Sequence, residues 1–461
     1  MTRATDVQRI IVVANRLPVA REDEGWVTSP GGLVRALVPV LQNVSGAWVG
    51  WSGIPDFDTP PFEHDGILQR PVALTQSDVD EFYFGFCNGT LWPLYHDGIV
   101  PAEFHRHWWG PYKDVNRKYA QAADEISEPG DIAWVQDYQL QLVPAMLREM
   151  RPAMTIGFYL HIPFPPIEIF ARLPWREQIL HGLLGADVLA FQTKQGADNF
   201  RRAATRIGGA RAVGRRELHW DGRTIQLQPA PIAIDTTDFE RLARSPEIQE
   251  RAREVREELG NPDHVILGID RLDYTKGIDA RLKAFSSLLD RSPEKVEQYA
   301  FVQLAVPSRE QVPAYQELRL DIEQSISRIN GEYGELGRAP ISYLYRSLPF
   351  EELVAYYVAA DIMLVTPLRD GMNLVAKEYA ASRTNEDGVL ILSEFAGAAE
   401  ELRSALIVNP YDVDAVADSI EQAATMPKDE QRRRMRRLRK TINRSDVFQW
   451  ADDCLAMLKD T

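Results

Sequence analysis

Short runs of apolar and β-branched residues alternate with longer helix-patterned stretches from one end of the chain to the other, and this alternation constrains the fold more than any other feature. A strand buried on both faces reads as a nearly continuous apolar run, and parallel strands need a long crossover between them, which the helical stretches supply. In the first half the runs fall at 10–14, 132–135, 155–160 and 188–191. In the second half they fall at 265–269, 300–305, 341–345, 362–365, 389–392 and 406–408, with helices predicted over 278–289 and 309–329. The fold class is therefore α/β, with two Rossmann-like, doubly wound domains.

A chain of 461 residues exceeds what one hydrophobic core usually serves, in agreement with two domains. The boundary is placed near Asp235, giving domains 1–235 and 236–461, because a charged helix over 246–259 and the turn Gly260-Asn261-Pro262 separate the last run of one set from the first of the next. A formal charge of −15 argues against a nucleic-acid partner, so anionic ligands must meet local clusters of Arg and Lys. With only Cys87 and Cys454 there is no disulfide framework or cysteine metal site, which fits a cytoplasmic protein. No apolar stretch approaches the roughly 18 residues of a membrane span. The Arg-rich stretch Gln431 to Lys440 reads as a solvated helix face.

The chemistry concentrates where strands end. The apolar run Ile362 to Val365 empties into Thr366-Pro367-Leu368-Arg369-Asp370-Gly371-Met372-Asn373 and then into a helix carrying Lys377 and Glu378. Free amides and a positive dipole end at such a helix start form a seat for an anion, while Glu378 is placed to meet sugar hydroxyls. A second loop, Asp270-Arg271-Leu272-Asp273-Tyr274-Thr275-Lys276-Gly277, follows the run 265–269 at the same sheet edge. Either loop alone is compatible with a solvated surface. Together they suggest a diphosphate clamp, Arg giving a forked donor and Lys a point charge.

In the first half, Asn15-Arg16 follows the first strand, Gly31-Gly32-Leu33 opens a helix, Asp137 follows the run ending at Val135, and His161 follows the run ending at Leu160. The Gly pair alone reads as an ordinary turn, and Tyr83 to Trp92 alone as an aromatic cap. His161 sits in a loop stiffened by Pro163 and Pro165. No Gly-x-Gly-x-x-Gly after a strand, P-loop, zinc-protease His pair or Gly-x-Ser-x-Gly elbow occurs, which disfavours dehydrogenase, NTPase and serine-hydrolase chemistry. The paired aspartates 56/58, 78/80 and 412/414 read as loop and helix-cap residues, so no metal site is assigned.

Taken together, Ala14-Asn15-Arg16-Leu17-Pro18, Gly31-Gly32-Leu33, Gly50-Trp51-Ser52-Gly53, Leu91-Trp92-Pro93, His161-Ile162-Pro163-Phe164-Pro165, the segment Asp270 to Gly277, Arg328-Ile329-Asn330-Gly331 and the segment Asp370 to Glu378 resemble the trehalose-6-phosphate synthases. These are retaining glucosyltransferases of the glycosyltransferase-B fold. The resemblance implies transfer of glucose from a nucleotide diphosphate glucose to glucose 6-phosphate in a cleft between the two domains. It implies no cofactor and no metal, and an acceptor-binding first domain on which the end of the chain packs back.

By the same resemblance, Arg271 and Lys276 hold the donor diphosphate with the amides of Gly371, Met372, Asn373, Leu374 and Val375, and Gly31 and Gly32 also face the donor. Asp370 and Glu378 bind donor hydroxyls, and His161 contacts the transferred glucose. Arg16, Tyr83, Trp92 and Arg309 form the acceptor-phosphate pocket, and Asp137 orients acceptor hydroxyls. Gln136 stands where some relatives carry His. No nucleophile is assigned, Asp137 and His161 being positioning groups. The donor nucleotide, with UDP the default and GDP or ADP as alternatives, stays open, as do a cyclitol-phosphate coupling reaction, a non-catalytic regulatory role and assembly into a homo-oligomer.

Overall fold

The structure is a computed structural model and describes residues 9–459 apart from 23–24, 30–33, 35–36, 39–40 and 43–45. The chain forms two compact units, Met1–Ile232 with Val447–Thr461, and Ala233–Asp446. Gly31 and Gly32 lie outside the described residues.

The first unit is built on β1 (Ile10–Arg16), β4 (Ala47–Trp51), β5 (Phe62–His64), β6 (Ile67–Pro71), β7 (Ile132–Gln136), β8 (Thr155–Leu160), β9 (Val188–Phe191), β10 (Arg211–Val213), β11 (Glu217–Trp220) and β12 (Arg223–Pro229). A separate antiparallel hairpin joins β2 (Val19–Glu22) to β3 (Gly25–Thr28). The sheet runs β10-β11-β12-β9-β8-β7-β1-β4-β6-β5, parallel from β12 to β6, with antiparallel strands only at its edges. Ile10 to Val13 are fully buried at its centre. Strand order reverses at β1, which lies between β4 and β7, so the β1/β7 crevice is the topological switch point where ligands of such sheets bind.

The second unit holds β13 (His264–Arg271), β14 (Tyr299–Val306), β15 (Ile341–Tyr345), β16 (Ile362–Val365), β17 (Val389–Ser393) and β18 (Leu406–Val408). They form one sheet in the order β15-β14-β13-β16-β17-β18, and all five pairings are parallel. Its switch point lies between β13 and β16.

The helix Val447–Lys459 belongs to the first unit, and its sequence explains why. Trp450 lies near Trp134 and Tyr159, with ring centroids 5.8 and 5.3 Å away, and its indole donates to the Ala230 carbonyl at 3.1 Å. Leu458 fills the space above Gly157, where a Cβ would lie 2.6 Å from its methyl. The stretch Val79–Leu91 is a π-helix, an uncommon form that gathers at functional sites. Its Gly85 and Gly89 give room to the Trp108 ring. One expected helix shifts: over 309–329 the sequence predicts helix, but the observed one is Pro313–Tyr333, opened by Pro313, while Arg309 stays in the loop with φ +49°. Among the described residues no helix is long and apolar enough to cross a membrane.

Candidate active site

At the first switch point the backbone aims a cation outward. The pairing of β1 with β4 slips between Val13 and Arg16, and such bulges re-aim the side chain that follows. The Trp48 indole and the Tyr119 hydroxyl bind the carbonyls of Arg16 and Asn15 at 2.9 and 2.7 Å, fixing the strand end. Arg16 is exposed and lies 4.5 Å over the Trp51 ring. Gly53, at φ +92°, makes this possible, because a Cβ there would coincide with the guanidinium. Tyr83 joins the cluster, 6.5 Å from Trp51 between ring centroids. Trp92 is buried instead, against His96 and Tyr138.

Asp137 follows β7 with φ +71°, a conformation few residues other than glycine adopt. Its amide donates to Tyr159 at 2.8 Å and its Oδ1 accepts the His161 amide at 3.1 Å, so it stitches the ends of β7 and β8 together. Both ring nitrogens of His161 are engaged, Nε2 with Gln136 Oε1 at 3.0 Å and Nδ1 with Gln192 Nε2 at 3.4 Å. The network assigns the proton to Nε2, since Gln136 offers only an acceptor there. Burial lowers the imidazole pKa to about 3, so the ring is neutral at neutral pH. With both nitrogens occupied, the neutral ring is a fixed hydrogen-bonding group and not a proton acceptor.

The second switch point is ionic. Lys276, 8% exposed, donates to Asp370 Oδ2 at 2.6 Å, and Asn373 Nδ2 reaches the same oxygen at 3.1 Å. The turn Tyr274–Lys276 is tied to the neighbouring loop by the Leu368 amide, which donates to the Thr275 carbonyl at 2.7 Å. Gly277, at φ +64°, allows this approach, since a Cβ would stand 2.3 Å from the Thr366 carbonyl oxygen. Beneath both loops the fully buried Arg281 binds Asp270 at 2.8 Å, Gln303 at 3.0 Å and Thr366 at 3.0 Å. Arg271 is exposed at the end of β13.

The helix Leu374–Ser382 starts after Asn373, which has φ +77° and makes no side-chain cap. Among the described residues, no backbone carbonyl accepts from the amides of Gly371, Met372, Asn373, Leu374 or Val375. That leaves a positively polarised seat beside Lys276. Glu378 is held by the Tyr357 hydroxyl at 2.7 Å. Lys377 points elsewhere, buried against Glu401 at 2.7 Å.

Arg309 is 4% exposed in its side chain and donates to Asp273 Oδ2 at 2.9 Å. The sequence reading gave Asp273 no role. Its Oδ1 accepts from the amide and hydroxyl of Thr275 at 2.9 and 2.8 Å, and its Oδ2 also accepts from the Tyr315 hydroxyl at 3.0 Å. Although burial opposes ionisation, Arg309, Arg271 and Lys276 hold its carboxyl down at about 2. The Asp-x-Thr spacing of a side-chain-capped turn was the available signal. Gln136 and Gln192, the partners of His161, carried none. Among the described residues, no group of three or more His, Cys, Asp or Glu side chains could hold a metal ion.

Two doubly wound units, each with polar groups at its switch point, form the glycosyltransferase-B architecture. The model of glycosyltransferase family 20 matches residues 8–460, and the chain belongs to that family; it is an enzyme of the hexosyltransferase class. Trehalose-6-phosphate synthase of Mycolicibacterium paratuberculosis is 53% identical over 468 residues, covering 98% of this chain and 95% of that protein. An alpha,alpha-trehalose-phosphate synthase (UDP-forming) from Burkholderia xenovorans, solved in complex with glucose-6-phosphate, is 35% identical with a TM-score of 0.91, covering 98% of this chain and 100% of that one. A structure from E. coli bound with UDP-2-fluoro glucose is 35% identical with a TM-score of 0.91, covering 98% of this chain and 99% of that one.

Proposed function

We propose that this enzyme moves glucose from UDP-glucose to glucose 6-phosphate with retention, giving α,α-trehalose 6-phosphate and UDP. The observation that carries the reading is the second switch point, where Arg271, Lys276 and the amides of Gly371 to Val375 gather at one sheet edge. That array suits a diphosphate whose charge grows as the glycosidic bond breaks. The names of the relatives support UDP as the nucleotide and glucose 6-phosphate as the acceptor.

The C1–O bond of the donor glucose breaks, its electrons pass to the β-phosphate, and the acceptor hydroxyl oxygen attacks C1 on the same face. Its proton goes to the departing phosphate oxygen, so no protein base is needed. Arg271 and Lys276 neutralise the leaving group without a metal. Asp370 and Glu378 hold donor hydroxyls, and His161 borders the transferred glucose. Asp137 orients acceptor hydroxyls, while Arg16, Tyr83, Trp92 and Arg309 serve the acceptor phosphate. The test is a donor panel with glucose 6-phosphate, following release of UDP, GDP or ADP. UDP release with formation of trehalose 6-phosphate supports the reading, and turnover only with another donor or a cyclitol acceptor refutes it.

A further inference from the structure

The assignments above place Lys276 on the donor and Arg309 on the acceptor, and one buried carboxylate touches the supports of both. Asp273 is 1% exposed. Through Oδ1 it caps the turn that carries Lys276, and the carbonyl of that turn's Thr275 anchors the loop leading to Asp370. Through Oδ2 it holds Arg309 and Tyr315, the latter from the first turn of the helix Pro313–Tyr333. Arg309 has φ +49°, a backbone state that costs free energy in a non-glycine residue and persists only where the surroundings fix it. A solvent-facing arginine would not need such a restraint.

We infer that Asp273 is a positioning residue that serves both substrates at once, one carboxylate oxygen setting the donor-diphosphate turn and the other setting the acceptor-phosphate arginine. The inference rests on the proposed roles of Lys276 and Arg309. It follows that the two oxygens separate by mutation. Thr275→Val removes a hydroxyl from the Oδ1 side only, Tyr315→Phe removes one from the Oδ2 side only, and Asp273→Asn removes the charge facing Arg309 and weakens both sides.

The experiment is steady-state kinetics of the full chain with UDP-glucose and glucose 6-phosphate, alongside melting temperatures. Asp273→Asn should raise KM for both substrates, each on the order of 10- to 100-fold, as loss of a charge-assisted contact does, and should also lower kcat, because Lys276 meets the charge that grows on the leaving group. Thr275→Val should raise KM for the donor alone and Tyr315→Phe KM for the acceptor alone, each roughly 2- to 10-fold. An Asp273→Asn enzyme that melts normally with one or both KM values unchanged overturns the inference. Should that variant fail to fold, the other two decide: effects on separate substrates sustain the joint, and effects on the same substrate, or none, overturn it. Arg309→Ala tells the two failures apart. If it leaves KM for glucose 6-phosphate unchanged, the acceptor assignment itself is wrong and the joint falls with it; if it raises that KM while Asp273→Asn does not, only the joint is wrong.

Discussion

The two switch points solve opposite problems with the same strand geometry. In each sheet the first and central strand ends in an exposed arginine, Arg16 after β1 and Arg271 after β13. Arg16 rests on the aromatic face of Trp51, and at the end of the neighbouring strands a neutral His161 is held between Gln136 and Gln192 beside Asp137. Around Arg271 the neighbours are ion pairs, Lys276 with Asp370 and Arg309 with Asp273. A cation resting on a ring keeps its charge for an incoming anion at little cost. A cation held in a buried pair must exchange one carboxylate for a ligand, and the exchange favours only a ligand with more charge to offer. On the proposed roles, the ring-borne Arg16 suits recognition of a fixed phosphate, and Arg271 with the Lys276 pair suits charge that appears during reaction.

That contrast breaks if the two arginines behave alike. Arg271→Ala and Lys276→Ala should lower kcat on the order of 100- to 1000-fold, the usual cost of losing one preorganised donor to developing charge. Arg16→Ala should instead raise KM for glucose 6-phosphate, by roughly 1.5–3 kcal/mol of ground-state binding, with kcat less affected. Equal efficiency with glucose and glucose 6-phosphate in the parent enzyme would refute the acceptor-phosphate pocket. Melting temperatures separate these effects from loss of fold; near-normal rates in a stable Arg271→Ala enzyme refute the leaving-group role.

How much of this was legible in the sequence depends on where each residue draws its meaning. Strands β13 and β16 and the loops after them were readable because strands covered on both faces must be continuous apolar runs, and Val265 to Ile269 and Ile362 to Val365 are such runs. Strands β10 to β12, at a sheet edge, carry Arg, Glu and Gln and have no such signature. The π-helix Val79–Leu91 has no periodic signature in the sequence, and the packing of the Trp108 ring on its Gly85 and Gly89 is a tertiary contact between separate elements. Arg309 was expected on a helix, yet Pro313 sets the start and Asp273 holds the loop before it. Asp273 itself reads as one more polar loop residue. Its partners Arg309 and Tyr315 are remote in sequence, and only the fold brings them together.

Two glycines sharpen the comparison through stability. Gly53 and Gly277 both have positive φ and both lack room for a Cβ. At Gly53 the obstacle is the tip of the Arg16 side chain, which can swing away; at Gly277 it is the Thr366 carbonyl, which belongs to the clamped backbone. Each substitution by Ala pays for its backbone strain, roughly 1 kcal/mol or more. Beyond that, Gly53→Ala should mainly raise KM for glucose 6-phosphate, whereas Gly277→Ala should lower both melting temperature and kcat. Equal losses of stability in the two variants would contradict the distinction between a yielding and a fixed neighbour.

A pH series tests the neutrality of His161. The folded-state pKa of His161 is lowered to about 3, below its ordinary value of 6.5. Above pH 6.5 the ring is neutral in both folded and unfolded chains and contributes no pH dependence. As pH falls from 6.5 towards 3, the unfolded chain takes up a proton that the folded chain refuses, so stability is lost at up to about 1.4 kcal/mol per pH unit. His161→Asn cannot take up that proton. The melting temperature of the parent should therefore fall more steeply than that of the variant between pH 6.5 and 4, and the two should run parallel above pH 7. Parallel curves throughout would mean that His161 titrates normally in the folded protein, and that its ring is not held neutral between Gln136 and Gln192.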